Sequence, residues 1–290
     1  MFGWKKKQQV SPERDAVTWK FSEIEVTQDK DLPDFLSLIN QAKIDGVIIK
    51  NALPKLQLDK INDKIDALKN IMVEATDFGC VVGRTLDGCA RTDLESAYFP
   101  ETDRISNFFN QVLGIKVEKL FESVVTKISG DRKVTQPVYS NGDKYKAATL
   151  RISKPGREGM QSHIGNEFIT YLPQLEHIAG VVDPKDRFSF FFLLQKPEIG
   201  GELVVFDLVW KNTPEHLVAD MAVVKKKLER EEYLNNFKSM NVNMDAGDLL
   251  IFDGGRIWHR VRPSEGDMDR ITLGGYGGIS RDGKGFNYWS

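Results

Sequence analysis

Cysteine is scarce: Cys80 and Cys89 are the only two in 290 residues. Two thiols build neither a disulfide framework nor the four-ligand site of a structural zinc module, and they fit a reducing compartment, so a cytoplasmic location is expected. An excess of charge is also missing, since 40 basic side chains face 42 acidic ones for a formal net charge of −2. No summed field draws the chain to nucleic acid or to an anionic membrane surface, and a small ligand is the partner this balance favours. Long apolar runs are absent too. The nearest, "FSFFFLLQ", falls well short of the roughly 20 residues that span a bilayer. At the start, "MFGWKKKQQV" carries the charge of a secretion signal, but polar "SPERD" follows where about 7–15 apolar residues are needed. Neither export nor a membrane partner is expected. Internal repeats and low-complexity tracts are lacking as well.

What is present is enough apolar material for a large core: 41% of 290 residues. Nothing in the composition marks a linker, so a single domain over residues 1–290 is expected. Residues 15–146 read as a support of helices and strands. "AVTWKFSEIEVT" alternates like a strand, and "DLPDFLSLINQAKIDGVIIKNALP" reads as a helix ending near Gly46 before a buried strand. Leu58, Ile61, Ile65, Leu68 and Ile71 form one apolar helix face, and Ile105, Phe108, Phe109 and Val112, then Val117, Leu120, Phe121 and Val124, form another.

From residue 147 to 290 the texture changes to short strand-like segments separated by Gly, Pro and Asp: "AATLRIS", "HIGNEFITYL", "FSFFFLLQK", "GELVVFDLVW", "VNMDAGDLLIFDG", "WHRVRPS" and "RITLGGYGGIS". Such spacing predicts an antiparallel sandwich or barrel, a mostly β fold with flanking helices. A helical insertion over about 213–236, opened by Thr213 and Pro214, places Leu217, Met221, Val224 and Leu228 on one face. It is a candidate lid over the barrel mouth. Its "KKKLEREE" tail reads as a solvated face. "GISRDGKG" fits the spacing of a phosphate-binding loop but has Gly285 where a hydroxyl would bind magnesium, and is read as a turn.

Histidine is nearly as scarce as cysteine, with His163, His177, His216 and His259 in all. His216 falls in the helical insertion and His177 in a connection. His163 and His259 lie in strand-like segments, one early and one late in the barrel half, where a closed barrel can turn them toward each other. Ordinary hydrogen-bonded core histidines would look alike. Period-two geometry puts His163, Gly165 and Glu167 on one strand face, and two histidines with one carboxylate are the facial triad of a non-haem Fe(II) site. Arg270 follows His259 after a turn-rich segment, so it can occupy a neighbouring strand and hold a carboxylate through its planar fork; Thr272, on the same face, can add a hydroxyl.

The order "TLRIS", "HIGNEF", "GGELVVF", "GDLLIFDGGRIWHRV", "RIT" and "NYWS" resembles the Fe(II)/2-oxoglutarate oxygenases, and more narrowly the carrier-protein-independent halogenases that chlorinate hapalindole and welwitindolinone alkaloids. The resemblance is clearest over residues 148–290. It implies a double-stranded β-helix, a cupin-like jelly roll, holding Fe(II) on His163 and His259 and 2-oxoglutarate on Arg270 and Thr272. It further implies that Gly165 vacates a ligand position for chloride, with bromide as a substitute. O2 would then decarboxylate 2-oxoglutarate to succinate and CO2, and a ferryl group would abstract hydrogen from an unactivated aliphatic carbon that rebounds onto chlorine. The substrate would be a free small molecule, not one tethered to a carrier. Arg151 can point toward cosubstrate or halide, Ser189 and Asn166 can orient the reacting ligands, and Val81 and Val82, with Met221 of the lid, are the expected substrate contacts. A strand glycine also marks a bulge or a close backbone approach. A hydroxylase with water or Glu167 at the vacant position, and a non-catalytic ligand-binding jelly roll, are the alternatives.

Overall fold

The computed structural model describes residues 19–25, 32–62, 64–65, 72–75, 78–86, 89, 94–113, 116–170, 176–218 and 224–290. Its elements begin with β1 (Phe21–Glu25), α1 (Phe35–Asn40), β2 (Gly46–Lys50), α2 (Lys55–Asn62), β3 (Met72–Ala75) and β4 (Gly79–Val82). Next come α3 (Phe99–Leu113), α4 (Val117–Val125), β5 (Lys133–Thr135), β6 (Thr149–Ser153), β7 (Met160–His163) and α5 (Glu176–Val181). Then follow β8 (Phe188–Gln195), β9 (Ile199–Gly200), β10 (Leu203–Val209), α6 (Glu215–Val218) and α7 (Val224–Leu234). The remaining strands are β11 (Ser239–Val242), β12 (Leu249–Phe252), β13 (Ile257–Val261), β14 (Ser264–Glu265), β15 (Arg270–Ile279) and β16 (Gly285–Trp289).

Ten strands form one sheet, in the order β1–β2–β12–β8–β15–β6–β4–β3 with β16 joined to β15 and β5 to β16. A four-stranded sheet, β11–β10–β13–β7, faces it. Side-chain alternation decides what each face does. In β8, Phe188, Phe190, Phe192 and Leu194 turn to the helices and join Leu36, Phe109 and Phe121 in the largest core cluster. Leu193 turns the other way, with Ile48 of β2 and Leu250 and Phe252 of β12, to meet Leu203, Val205 and Val261 of the opposite sheet. Sheets packed face to face in this way, antiparallel except for the β1–β2 and β5–β16 pairs, are the jelly roll that the segment pattern predicts.

The helices are set by local chemistry. Asp34 caps α1, its Oδ1 accepting from Ser37 N at 2.9 Å, and Phe35, Leu36 and Ile39 are buried. In α4 the buried positions are Val117, Phe121, Val124 and Val125, one face at helical spacing. Phe121 stands 4.1 Å from the Phe190 ring and 4.6 Å from that of Tyr288, centroid to centroid. Phe121→Ala is therefore expected to cost about 3–5 kcal/mol, read as a lower urea midpoint at unchanged m-value.

Two expectations change here. "HIGNEFITYL" does not continue as a strand: β7 stops at His163, and Gly165–Thr170 is a 3-10 helix. None of the described residues of the insertion lines the cavity between the sheets. Leu234, Tyr233 and Phe237 pack with Val204, Phe206 and Trp258 on the outer face of the second sheet. The reason lies in β10, "LVVFDLV", which is apolar on both faces, so its outward side chains also need cover. Leu228, expected on the apolar face of the insertion, is 67% exposed. Met221 lies outside the described residues. Among those described, no helix is long and apolar enough to cross a membrane.

Candidate metal centre

His163 and His259 are cross-strand partners of β7 and β13, in register with each other, and their ring centroids are 4.2 Å apart. They are neighbours on one sheet rather than residues that face each other across a barrel. Each Nδ1 lies 2.8 Å from the carbonyl two residues earlier, Gln161 O for His163 and Ile257 O for His259. A carbonyl only accepts, so Nδ1 carries the hydrogen in both rings and the lone pair is on Nε2. That is the tautomer a metal requires, and the hydrogen bond fixes the ring orientation. Burial pushes His163 down to about 4, and burial followed by the neighbouring His163 pushes His259 well below its ordinary range. Both rings are thus neutral at physiological pH.

A buried neutral histidine has a consequence for the metal-free protein. An imidazole at about 4 when folded and near 6.5 when unfolded stabilises the fold fully above pH 6.5, and that contribution is lost as the pH falls toward 4. For His163 the loss is expected to reach about 2 kcal/mol between pH 7.5 and 5. Urea midpoints of wild type and His163→Gln at the two pH values check it, with the variant expected to show the smaller drop.

The pair opens on a cavity of about 640 Å³, its mouth included, which Arg151, Ser189, Arg270 and Thr272 also line. Alternation in β15 and β6 places these groups: Ile271 and Leu273, and Leu150 and Ile152, turn to the helical core, leaving Arg270, Thr272 and Arg151 inside. Thr272 is the cross-strand partner of Arg151. Arg270 is 6% exposed and stands 5.2 Å over the Phe191 ring, yet no carboxylate of the described residues lies within ion-pair distance of it. Burial, and then Arg151, pull it down to about 10. A buried guanidinium of this kind is suited to a ligand carboxylate.

Gly165 sits where the chain turns away from β7. Its N–H donates to Gly254 O at 2.8 Å and that of Asn166 to Gly255 O at 3.0 Å. A Cβ at 165 would lie 3.0 Å from both Gly254 O and Gly255 Cα. This close approach accounts for a glycine by packing alone. The turn also removes Glu167 from the face of His163: it is 1% exposed and ion-paired to Arg230 at 2.5 Å. Among the described residues no group of three or more His, Cys, Asp or Glu is placed to hold a metal.

The other expected site residues divide. Ser189 lines the cavity, whereas Asn166 does not: its side chain donates to Asp186 Oδ1 and accepts from Asp186 N, both at 2.7 Å, and braces the loop before β8. Val81 is half-buried and is the cross-strand neighbour of Arg151. Val82 is fully buried in the main core, which corrects its expected role as a substrate contact: consecutive strand residues cannot share a face. His177 contacts Tyr145 OH through Nδ1 at 3.2 Å, so it too has a partner. Met160, Phe191, Phe252 and Tyr276 are among the other residues of the cavity wall. Alternation from Ser189 and Thr272 would have pointed to Phe191; Met160 depends on a register shift between β7 and β13.

Two imidazoles tethered through Nδ1 so that Nε2 carries the lone pair, a buried arginine and a cavity that all of them line fit Fe(II) and 2-oxoglutarate. The sequence profile described as carrier-protein-independent halogenase WelO5 matches residues 18–290. In fold, the chain is similar to an N-substituted L-amino acid dioxygenase from Burkholderia ambifaria AMMD, with a TM-score of 0.54 at 13% identity, covering 88% of this chain and 90% of that one. The complex of that enzyme with alpha-KG gives 0.54 at 14%, with the same 88% and 90%. The alpha-ketoglutarate-dependent carbocyclase SnoK from nogalamycin biosynthesis gives 0.47 at 11%, covering 88% and 96%. No curated protein matches the chain significantly.

Proposed function

Because the chain belongs to the carrier-protein-independent halogenase family, iron- and 2-oxoglutarate-dependent oxidoreductases that take free substrates, we propose that it chlorinates an unactivated aliphatic C–H bond of a small molecule. 2-Oxoglutarate, O2, chloride and a proton would be consumed, succinate, CO2 and water released, and bromide can replace chloride. His163 and His259 would hold Fe(II) through Nε2, Arg270 and Thr272 the distal carboxylate of 2-oxoglutarate. Gly165, offering no side chain, would leave a metal position to the halide. When bound, iron and 2-oxoglutarate supply the oxidising chemistry that breaks the C–H bond.

The chain itself contributes position, charge and exclusion of water. The carbonyls of Gln161 and Ile257 keep both rings in the ligating tautomer and fixed in angle. Arg270, buried and outside ion-pair distance of the described carboxylates, would orient one end of the cosubstrate and favour a ligand that carries a carboxylate. Arg151 adds a second positive charge for cosubstrate or halide, and the Ser189 hydroxyl can orient a bound ligand. Phe191, Phe252 and Met160 keep the wall apolar, so a substrate carbon can approach without competing water. Arg270→Met is expected to weaken 2-oxoglutarate binding at least about 30-fold, roughly 2 kcal/mol, measured anaerobically with the iron-loaded protein.

The observation that carries the proposal is the pairing of two Nδ1-tethered imidazoles with no third ligating side chain among the described residues. Its test is an anaerobic titration of the Fe(II)/2-oxoglutarate complex with chloride, followed by mass spectrometry of products after O2 is admitted. A chloride-dependent change in the visible band and a chlorine isotope pattern support it; an unresponsive band with hydroxylated products only contradicts it. A hydroxylase with water at that position is the second reading, favoured by the packing of Gly165 against Gly254 and Gly255, which explains the glycine without a halide.

A further inference from the structure

Arg230 lies in "KKKLEREE" yet is only 4% exposed. Its guanidinium meets at least four groups. Nη2 donates to Glu167 Oε1 at 2.5 Å and to Leu217 O at 2.5 Å, Nη1 donates to Ser162 O at 3.3 Å, and Cζ stands 4.9 Å over the Trp258 ring. Beside it, Glu231 accepts from Ser162 N at 2.7 Å, Ser162 Oγ at 2.9 Å and Arg260 Nη1 at 2.8 Å. Ser162 adjoins His163, while Trp258 and Arg260 flank His259. From the outer face of the second sheet, α7 therefore grips the chain neighbours of both imidazoles.

Glu167 is the only acid in "HIGNEFIT", the segment that leaves the first imidazole. A buried carboxylate without a partner is costly and seeks a cation. Fe(II) between two neutral imidazoles is such a cation, and a carboxylate there would supply both the ligand and the charge that a halide brings. Arg230 offers a competing cation outside β7.

We propose that Arg230 is a specificity-determining positioning residue: by holding the Glu167 carboxylate on the outer side of β7, it prevents the turn after His163 from supplying a third protein ligand to the metal. This rests on the proposed iron site, and its consequence for halide rests on the halogenase reading. The coordination itself can be tested without halide, cosubstrate or turnover.

The test compares the full chain, loaded with Co(II) in place of iron, as wild type, Arg230→Lys, Arg230→Met, Glu167→Gln and the Arg230→Met/Glu167→Gln double variant. Arg230→Met is expected to bind Co(II) about tenfold tighter, with a changed visible spectrum as a carboxylate enters. The double variant is expected to return to wild-type affinity and spectrum, and Arg230→Lys and Glu167→Gln to resemble wild type. In the Fe(II)/2-oxoglutarate complex, Arg230→Met should require about tenfold more chloride for its spectral response, and the double variant should restore it. An unchanged cobalt spectrum in Arg230→Met, or a change that the double variant retains, overturns the proposal. Should Arg230→Met fail to fold, Glu167→Gln decides: an altered cobalt spectrum would mean that Glu167 already ligates, and an unaltered one that it is held away. A wild type that binds iron and 2-oxoglutarate but ignores chloride defeats the halogenase reading while leaving the cobalt comparison standing. Failure of the cobalt comparison with an intact chloride response defeats this inference alone.

Discussion

His259→Ala is expected to leave a folded protein whose Fe(II) affinity has fallen by more than the 10–100-fold typical of losing a group that merely supports a ligand, roughly 1000-fold or beyond, with no measurable succinate release. The ring is 5% exposed, its Nδ1 is committed to Ile257 O, and it stands 4.2 Å from its partner ring, so Nε2 carries the lone pair that would ligate the metal. Its removal leaves a hole lined by Phe252, whose ring is 4.9 Å away edge-on, and costs stability of the order of 1–2 kcal/mol. The contrast between a small loss of stability and a total loss of metal separates a ligand from a structural core histidine. Iron content after gel filtration, succinate release and a urea midpoint, compared with wild type and His163→Ala, check it. Retained iron and turnover in both variants would favour a ligand-binding jelly roll with structural histidines.

Gly165→Asp is expected to suppress chlorination at least about 100-fold, because a carboxylate there would bring both the ligand and the negative charge that the proposed halide would otherwise provide. Packing complicates the substitution. The new Cβ meets Gly254 O and Gly255 Cα at 3.0 Å, and the two carbonyls that accept from Gly165 and Asn166 cannot withdraw without breaking those bonds. A shift of a few tenths of an ångström is needed, at about 1–3 kcal/mol. Gly165→Ala meets the same contact without the carboxylate, so it separates the two effects. The alanine variant should share the loss of stability and retain chloride binding, while the aspartate variant should lose chloride binding and keep some hydroxylation. Equal loss of chlorination in both would assign the effect to packing.

The pairing of His163 with His259 was legible because, of four histidines, these two fall in strand-like segments of the barrel half. The shared face of Arg270 and Thr272 was legible through alternation, which the register of β15 with β6 preserves, while that with β8 shifts between Ile271 and Thr272. Alternation misplaced Glu167 for a physical reason: the hydrogen bonds of Gly165 and Asn166 run to residues 254 and 255, about 90 positions away, and no local pattern encodes them. The burial of Arg230 was hidden in the same way. A run of charges resembles a solvated face until Ser162, Glu167 and Trp258 arrive from distant parts of the chain to satisfy one of them. The outer position of the insertion was partly readable, since "LVVFDLV" is apolar on both sides and cannot leave either face in water.

The central claim is that a halide occupies the metal position left by residue 165. A crystal of the protein with Fe(II), 2-oxoglutarate and bromide, grown without O2 and measured at the bromine absorption edge, tests it most directly. The expected result is an anomalous bromine peak bonded to iron beside Gly165, with both histidine Nε2 atoms and 2-oxoglutarate as the other ligands and Glu167 still on Arg230. Water or a Glu167 oxygen in that position, with no bromine signal at the metal, would contradict it.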